Sequence, residues 1–146
     1  PRQSARAVIP TVLSQLCAGQ KSVRMGNLHV TRDFNYVANT VDAFLALAQG
    51  DQGIGEVFNV GSGRETSLKE LLEVVRKITK KDFKVVVEKQ RLRPEKSEVE
   101  RLICDASKIE KIFGWKAKVS LEEGLRSTYQ WLRKNIHQYK EGIYNV

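Results

Sequence analysis

The sequence predicts a mixed α/β fold. Three observations lead to this prediction: apolar residues recur at helical spacing in several stretches, short β-branched runs lie between those stretches, and two Ser-x-x-Glu patterns mark helix starts. The chain has 146 residues, and neither a repeat nor a low-complexity tract interrupts it. A chain of this length is expected to form one domain with a sizeable core.

The first half of the chain predicts two helices and three strands. The first helix ends at Gly19, and its Pro10 is compatible only with the first turn, because proline lacks the amide donor that later turns use. The first two strands flank a turn at Gly26, and the third ends at Gly61. Asn39 is the expected N-cap of the second helix. In order, these elements are predicted at residues 7–18, 22–25, 29–37, 39–49 and 56–60, and the core-facing residues of the second helix are expected to be Val41, Phe44, Leu45 and Ala48.

The second half predicts three helices and one strand. Residues 67–70 and 120–123 each form a capping box, in which the serine hydroxyl accepts from the third helical amide and the glutamate reaches back to the cap amide. Asp105 is expected to cap a short helix that ends at Gly114. The predicted helices span residues 67–78, 105–113 and 120–136, the strand spans 83–88, and a charged loop follows that strand to about residue 101.

The composition excludes several classes of protein. No apolar run reaches the roughly 18–20 residues that a membrane span needs, so no membrane partner is expected. Cys17 and Cys104 are far apart, without a Cys-x-x-Cys pattern or a neighbouring histidine, which argues against a disulfide scaffold and against a metal site. This cysteine usage is typical of a reduced compartment, and a cytoplasmic protein is therefore expected.

The net charge favours an anionic ligand. The chain carries 25 Lys+Arg against 17 Asp+Glu, a formal net charge of +8. The basic residues are scattered, and no nucleic-acid-binding motif or aromatic stacking platform accompanies them, so no nucleic-acid partner is expected. Charge alone does not distinguish RNA, a membrane surface and a small diphosphate. A non-enzymatic basic module that binds nucleotides or RNA is therefore kept as an alternative.

Few residues could act as catalysts. The two histidines, His29 and His137, are far apart in sequence, and each is expected to be structural or solvated. Gly61 and Gly63 follow a predicted strand, as in a dinucleotide-binding loop, but Thr66 stands where that loop has its third glycine. The amides of this turn could lie near an anion, and a plain strand-to-helix turn explains the sequence equally well. No catalytic residue is assigned.

Two arginine-containing segments are more informative. Arg32 lies in the predicted strand 29–37, and the planar fork of its guanidinium suits a diphosphate. A local ion pair with Asp33 at the end of the strand is the alternative. Residues 91–101 are dense in both charge signs, which is typical of a solvated surface loop, or of a loop that closes over a ligand bearing phosphates and ribose hydroxyls.

Six short motifs occur in a fixed order along the chain. The clearest are Thr-Arg-Asp-Phe-Asn-Tyr-Val at residues 31–37 and Gly-Glu-Val-Phe-Asn-Val-Gly at residues 55–61. The others lie at residues 1–4, within 9–27, at 93–94 with 105–108 and 113–115, and at 120–125. Together they resemble the C-terminal, substrate-binding half of an extended short-chain dehydrogenase/reductase in the NAD-dependent epimerase/dehydratase family. The resemblance spans essentially the whole chain.

The most similar subgroup is that of the sugar 4,6-dehydratases of the UDP-N-acetylglucosamine and GDP-mannose types. Residues 97–100 resemble the Thr-Glu-Val-Asp run of the GDP-mannose enzymes, although Glu95 and Lys96 are two extra residues before that run. Residues 143–146 resemble the UDP-N-acetylglucosamine group. The nucleotide and the sugar therefore stay unassigned.

The resemblance implies a fold and a set of ligand contacts. The chain would form the C-terminal part of a Rossmann-type NAD(P)-binding fold, together with a small α/β substrate-binding lobe. Arg32 and Arg93 would clamp the diphosphate of a nucleotide-diphosphate sugar. Glu98 would accept hydrogen bonds from the ribose hydroxyls. Asn59 would hold the strand edge beside the nucleotide, through a substrate contact or through backbone support.

The resemblance also implies an NAD- or NADP-dependent enzyme. In this family a hydride leaves C4 of the sugar, water is lost across C5–C6, and the hydride returns at C6. The catalytic Tyr-x-x-x-Lys pair and the glycine-rich cofactor fingerprint belong to the N-terminal Rossmann half, which is expected to be absent from this chain. Residues 1–146 would then be the substrate-binding portion, inert alone, of a homodimeric parent about twice as long. A nucleotide-sugar 4-epimerase of the same family is the alternative activity.

Overall fold

The computed structural model describes residues 3–4, 7–91 and 98–139. The mixed α/β class is confirmed. The helices are α1 (Val8–Cys17), α2 (Val37–Ala48), α3 (Leu68–Thr79), α4 (Ser107–Phe113) and α5 (Leu121–Asn135), and the strands are β1 (Ser22–Met25), β2 (Thr31–Arg32), β3 (Thr66–Ser67), β4 (Lys84–Val87) and β5 (Arg101–Leu102). Short 3-10 turns lie at Asp51–Gly53, Lys89–Arg91 and Ile136–Gln138.

The chain divides into two compact units built from interleaved segments. The described residues up to Leu28, from Lys69 to Glu98 and from Leu125 onward belong to the first unit. Residues 29–68 and 99–124 belong to the second.

The first unit contains a parallel pair of strands, β1 beside β4, in register over all four residues of each. Gln15 of α1 ties the helix to β1, because its side chain donates to the Arg24 carbonyl (3.1 Å) and accepts from the Arg24 amide (2.9 Å). A Cβ on Gly26 would lie 2.2 Å from the Arg91 carbonyl oxygen, so the turn after β1 accepts only glycine. The buried apolar residues of this unit are Val12, Leu13, Leu16, Val23, Met25, Leu71, Leu72, Val75, Ile78, Phe83, Leu125 and Leu132.

The second unit contains a three-stranded sheet in the order β3-β2-β5. The central strand β2 pairs antiparallel with β3 and parallel with β5. Its core is a buried cluster of Ala43, Ile109 and Trp115. The partly buried hydrophobic residues packed against this cluster are Ala46, Leu47, Phe58, Val60, Ala106, Phe113 and Ala117.

Several helix starts and ends that rest on local chemistry are confirmed. α3 begins directly after Ser67, and the apolar residues that recur in it at helical spacing are buried: Leu68, Leu71, Leu72, Val75 and Ile78. Before α5, the Glu123 amide donates to Ser120 Oγ (3.3 Å) and the Ser120 amide donates to Glu123 Oε2 (2.9 Å), which is the predicted capping box. α4 ends at Gly114, whose φ of +64° is left-handed. The N-cap position of α4 is Ala106, one residue later than predicted, but the carboxylate of Asp105 does cap the helix start, because it accepts from the Ser107 amide (2.9 Å).

The prediction for α2 is wrong in two respects. The helix begins at Val37, with Tyr36 as its N-cap, so Asn39 lies inside the first turn. Asn39 is 2% exposed, and its side chain accepts from the Lys118 and Val119 amides (3.1 and 2.9 Å) and donates to the Val119 carbonyl (2.9 Å). This side chain therefore binds a distant segment instead of capping its own helix. The helix turns Ala43 into the core and leaves Val41, Phe44 and Leu45 exposed, the reverse of the predicted face.

Two predicted strands are also corrected. The strand predicted over 29–37 is paired only at Thr31 and Arg32, and α2 already starts at Val37. Residues 56–60 are outside any strand in the described part of the chain. They still alternate, with Phe58 and Val60 packed on the core cluster and Val57 exposed. The alternation of residues 56–60 therefore indicates an extended segment but not a strand, because a β-ladder also needs a neighbouring strand.

No helix in the described ranges is both long and apolar enough to cross a membrane.

Candidate functional site

Arg32 lies half-buried in the central strand of the second unit's sheet. Its Nη1 donates to the carbonyls of Thr31 (2.7 Å) and Glu100 (3.4 Å). The backbone on both sides is tied to the segment around β5, because the Thr31 amide donates to the Glu100 carbonyl (2.8 Å) and the Asp33 amide donates to the Leu102 carbonyl (2.9 Å). A guanidinium is thus held at a fixed place on a short, well-bonded strand.

Glu65 braces the same strand through its side chain. One carboxylate oxygen accepts from Thr31 Oγ1 (2.7 Å), and the other accepts from Arg101 Nε (2.8 Å). These hydrogen bonds, that from Thr31 first, lower the pKa of the Glu65 carboxyl below its ordinary value of 4.5. The carboxyl is therefore ionised at neutral pH, where it links β2 to β5.

Asp33, directly after Arg32, joins three segments of the second unit. Its Oδ1 accepts from the Ser62 amide (3.0 Å) and from the Ser62 hydroxyl, and its Oδ2 accepts from the amides of Gly63 (2.9 Å) and Cys104 (3.3 Å). A Cβ on Gly61 would lie 2.7 Å from Asp33 Oδ2 and 2.3 Å from the Cys104 Cβ. The three segments meet so closely that a side chain at position 61 has no room.

This contact decides what the Gly61–Gly63 turn can bind. Backbone amides of a glycine turn bind phosphate when they point into open space. Here the Ser62 and Gly63 amides already donate to the carboxylate of Asp33. The turn therefore does not fit the phosphates of a dinucleotide. The anion that its amides bind is the carboxylate of Asp33 from the same chain.

Asn59 lies two residues before Gly61, in the extended segment 56–60. Its side chain is exposed, and it shares the second unit with Arg32. Lys108 fixes this segment, since its ammonium donates to Glu56 Oε2 (2.7 Å) and to the Val57 carbonyl (3.0 Å). The structure thus gives Asn59 a defined backbone and an outward side chain.

Of the other two predicted contact residues, only Glu98 lies among the described residues. Glu98 is described, is partly buried, and belongs to the first unit. Arg93 lies outside the described residues. The roles assigned to Arg32, Asn59, Arg93 and Glu98 stay predictions.

A cavity of about 600 Å³ opens in the second unit. Neither Arg32 nor Asn59 lines it; its lining consists of residues 61–63, 103–107, 110 and 115–117. Burial raises the pKa of the Cys104 thiol at its edge, and the nearby Asp33 and Asp105 carboxylates add to this rise. The thiol is therefore protonated at neutral pH, which disfavours a nucleophilic role. Within the described ranges, no group of three or more His, Cys, Asp and Glu side chains could hold a metal ion.

Comparison with known proteins identifies the family. A family model described as GDP-mannose 4,6 dehydratase matches residues 1–128. The chain belongs to this family. The resemblance to extended short-chain dehydrogenases/reductases that act on nucleotide sugars is thereby confirmed, and the relatives include dehydratases and epimerases.

Three relatives illustrate the match. The dTDP-D-glucose 4,6-dehydratase of Mus musculus is 34% identical, over 96% of this chain and 40% of its own length. A UDP-glucose 4-epimerase from Thermotoga maritima, solved with UDP-glucose, is 33% identical with a TM-score of 0.78, over 93% of this chain and 43% of its own. RMD from Pseudomonas aeruginosa, solved with NADPH, shares the fold (TM-score 0.80, 24% identity) over 92% of this chain and 45% of its own. The chain spans less than half the length of these relatives.

Sequence reasoning missed the structural part played by Asp33, which it treated only as an ion-pair partner of Arg32. Asp33 contacts Ser62 and Cys104, which come 29 and 71 positions after it in the sequence. No local pattern connects such distant segments. The sequence signal for this contact is weak: a carboxylate at Asp33 and a Gly-Ser-Gly turn at residues 61–63 occur in the same short chain.

Proposed function

We propose that this chain is the nucleotide-sugar-binding portion of an NAD- or NADP-dependent sugar 4,6-dehydratase. The observation that carries the proposal is the match of residues 1–128 to the GDP-mannose 4,6 dehydratase model. The substrate is a nucleotide-diphosphate sugar. The reaction oxidises C4, removes water across C5–C6 and reduces C6, and the nicotinamide cofactor, when bound, supplies the hydride chemistry.

Arg32 is proposed to contact the diphosphate. A guanidinium donates two parallel hydrogen bonds to phosphate oxygens and stays charged at any working pH. Its location on a bonded strand supports this role, because a fixed donor loses little entropy on binding. Arg93 is proposed as the second clamp, Glu98 as the acceptor for the ribose hydroxyls and Asn59 as a contact beside the nucleotide. Binding energy from the nucleotide then orients the hexose for reaction.

Catalysis is proposed to need the part of the relatives' length that this chain does not match, roughly 60% of the mouse dehydratase. The Gly61–Gly63 turn does not fit the cofactor's phosphates, which supports placing the cofactor site in that other part. The chain alone is proposed to be inert and to bind NAD poorly. The whole protein is proposed to be a cytoplasmic homodimer.

The exposed apolar face of α2 supports this division. Val41, Phe44 and Leu45 are 52%, 68% and 58% exposed, and all three lie on one side of the helix. In the extended segment 56–60, Val57 is 81% exposed. Monomeric proteins rarely leave such a stripe in water. We propose that this apolar stripe is covered by the part of the proposed longer protein that this chain does not contain. That part is long enough to contribute a core of its own.

A nucleotide-sugar 4-epimerase is the second candidate. It is favoured by one observation, the 33% identity to the UDP-glucose 4-epimerase of Thermotoga maritima. Both activities begin with oxidation at C4, and they differ in whether water is then lost. A basic module that binds RNA without catalysis is disfavoured by membership of an enzyme family.

The deciding experiment uses the proposed longer protein that contains this chain. It is incubated with NAD⁺ or NADP⁺ and separately with GDP-mannose, dTDP-glucose, UDP-glucose and UDP-N-acetylglucosamine; mass spectrometry measures loss of water, and NMR measures the configuration at C4 of products of unchanged mass. Loss of one water from a single sugar nucleotide supports the dehydratase. A product of unchanged mass with inverted C4 supports the epimerase instead. Turnover by residues 1–146 alone would overturn the proposed division of labour.

The binding assignment is tested in the same protein by Arg32→Ala and Arg32→Lys. Loss of a desolvated charge pair corresponds to about 2–4 kcal/mol, so KM for the sugar nucleotide rises steeply in Arg32→Ala. Arg32→Lys recovers only part of this loss, because an ammonium cannot bind two oxygens in parallel. An unchanged KM in both variants means that Arg32 does not contact the substrate.

A further inference from the structure

The carboxylate of Asp33, at the end of β2, accepts hydrogen bonds from three residues. Its two oxygens accept four hydrogen bonds: two from Ser62, one from the Gly63 amide and one from the Cys104 amide. A carboxylate offers about four acceptor positions, so this arrangement uses its capacity fully. Hydrogen bonds to an ionised acceptor are also shorter and stronger than neutral ones.

These bonds connect the places where two predicted ligand contacts are located. Arg32 precedes Asp33 by one residue, and its position in β2 is fixed by backbone bonds to the segment around β5. Asn59 is three residues before Ser62, in a segment that lacks a partner strand within the described ranges. The hydrogen bonds of Asp33 are therefore a direct link between the strand of Arg32 and the segment of Asn59.

The contact at Gly61 makes this link rigid. Position 61 has no space for a Cβ, since Asp33 Oδ2 would lie at 2.7 Å and the Cys104 Cβ at 2.3 Å. Close-packed backbone transmits a displacement rather than absorbing it. A change at Asp33 that loosens the turn would therefore move both Asn59 and the end of β2.

We propose that Asp33 is a positioning residue, whose carboxylate holds the Gly61–Gly63 turn against the end of β2 and so sets the relative placement of Arg32 and Asn59 for the nucleotide sugar. This inference rests on the proposed function. Asp33 itself does not contact the substrate, because its oxygens are occupied by backbone and hydroxyl donors of its own chain.

The test compares three variants of the longer protein. Asp33→Asn keeps the shape but replaces one accepting oxygen with a donor and removes the charge. Ser62→Ala removes the hydroxyl that donates to Asp33 and accepts from the Arg64 amide (3.2 Å), at an exposed position, and is expected to leave the protein folded. Asp42→Asn is the matched control, since it removes a carboxylate charge of the same unit at an exposed ion pair with Lys118.

The expected result is a rise of about tenfold in KM for the sugar nucleotide in Asp33→Asn, a smaller rise in Ser62→Ala and none in Asp42→Asn, with kcat changed less than KM. A double-mutant cycle adds a readout that a stability defect would not move. Arg32→Ala is expected to raise KM by a smaller factor in the Asp33→Asn background than in the native one, because the arginine is already misplaced there.

The outcomes separate this inference from the proposed function. If Arg32→Ala raises KM while Asp33→Asn and Ser62→Ala leave it unchanged, the positioning role is wrong and the binding site stands. Additive effects of Arg32→Ala and Asp33→Asn overturn it in the same way. If Asp33→Asn does not fold, Ser62→Ala and its cycle with Arg32→Ala decide the question. An unchanged KM in Arg32→Ala refutes the assignment of Arg32 under the proposed function.

Discussion

Gly61 and Cys104 approach each other so closely that a methyl group on Gly61 would lie 2.3 Å from the Cys104 Cβ. These residues come from two different segments, and the same contact brings the Cys104 amide to the carboxylate of Asp33 (3.3 Å). The second unit therefore has a close-packed junction directly beside the strand that carries Arg32. The glycine at position 61 is explained by space, not by an unusual backbone angle.

Gly61→Ala is expected to destabilise the second unit. Overpacking a site that cannot expand costs about 1–3 kcal/mol, and here the obstructing atoms include a backbone-proximal Cβ. Urea unfolding measures the loss. Gly50→Ala is the matched control: its nearest obstacle is the edge of the Phe113 ring at 3.2 Å, which can move, so its loss is smaller. Equal stability of the two variants would contradict the packing seen at Gly61.

Asn39→Ala is expected to lower the free energy of unfolding by about 2–4 kcal/mol. Asn39 is 2% exposed, and its removal leaves the amides of Lys118 and Val119 and the Val119 carbonyl without their partner. Thermal and urea unfolding measure the effect. Asp42→Ala, on the same helix, breaks only an exposed ion pair with Lys118 and changes stability by at most about 1 kcal/mol. A similar small change in Asn39→Ala would show that the buried hydrogen bonds contribute little.

The parts of the fold that sequence predicts correctly are those set by neighbouring residues. The capping box at 120–123, the left-handed Gly114 and the apolar spacing of α3 involve contacts within four residues, so a local pattern contains the whole cause. The same reasoning failed at Asn39. An asparagine near a helix start resembles a cap, but its actual partners at Lys118 and Val119 are about 80 residues away.

The face of α2 could not be predicted for a related reason. Helical spacing shows that apolar residues share a side, but it does not show which polypeptide covers that side. Here the small Ala43 faces the core cluster, while Phe44 and Leu45 face outward. The segment 56–60 is a parallel case, because alternation identifies an extended chain and not its hydrogen-bonding neighbour.

The candidate site is predictable only in part. The fork chemistry of Arg32 and its place in a strand follow from the sequence, and the structure places it in β2. The connection from Asp33 to the Gly61–Gly63 turn depends on three segments that meet only in the folded chain. The roles of Arg93 and Glu98 stay predictions, because they depend on a ligand and not on contacts within the fold.

Phe44→Lys is expected to affect the melting temperature differently in the chain of residues 1–146 and in the proposed longer protein. In the chain of residues 1–146, Phe44 is 68% exposed, so the melting temperature should be unchanged. In the longer protein, the proposed cover of α2 would bury the new charge, and the melting temperature should fall. Gln49→Lys, which adds the same charge at the exposed end of the same helix, should leave both values unchanged. An unchanged melting temperature of the longer Phe44→Lys protein would show that another surface is covered.

The capping box of α5 is expected to make stability depend on pH. Hydrogen bonds from Ser120, by its hydroxyl first and its amide second, lower the pKa of Glu123 below the ordinary value of 4.5. A carboxyl with a lowered pKa in the folded state stabilises the fold above its unfolded value and loses this contribution as the pH falls through the folded value. The contribution is therefore complete at neutral pH, begins to decline as the pH falls below about 4.5, and is lost as the pH passes through the lower folded pKa. Ser120→Ala, which costs about 1 kcal/mol as a cap, and Glu123→Gln should both lower the melting temperature at pH 7.

The difference in melting temperature between native protein and Glu123→Gln should shrink at pH 3, and thermal unfolding at the two pH values measures it. Glu122→Gln, on the neighbouring residue of the same first turn, is the control and should show a weaker pH dependence. A Glu123→Gln difference that is equal at both pH values would mean that the ionised carboxylate does not support the helix start.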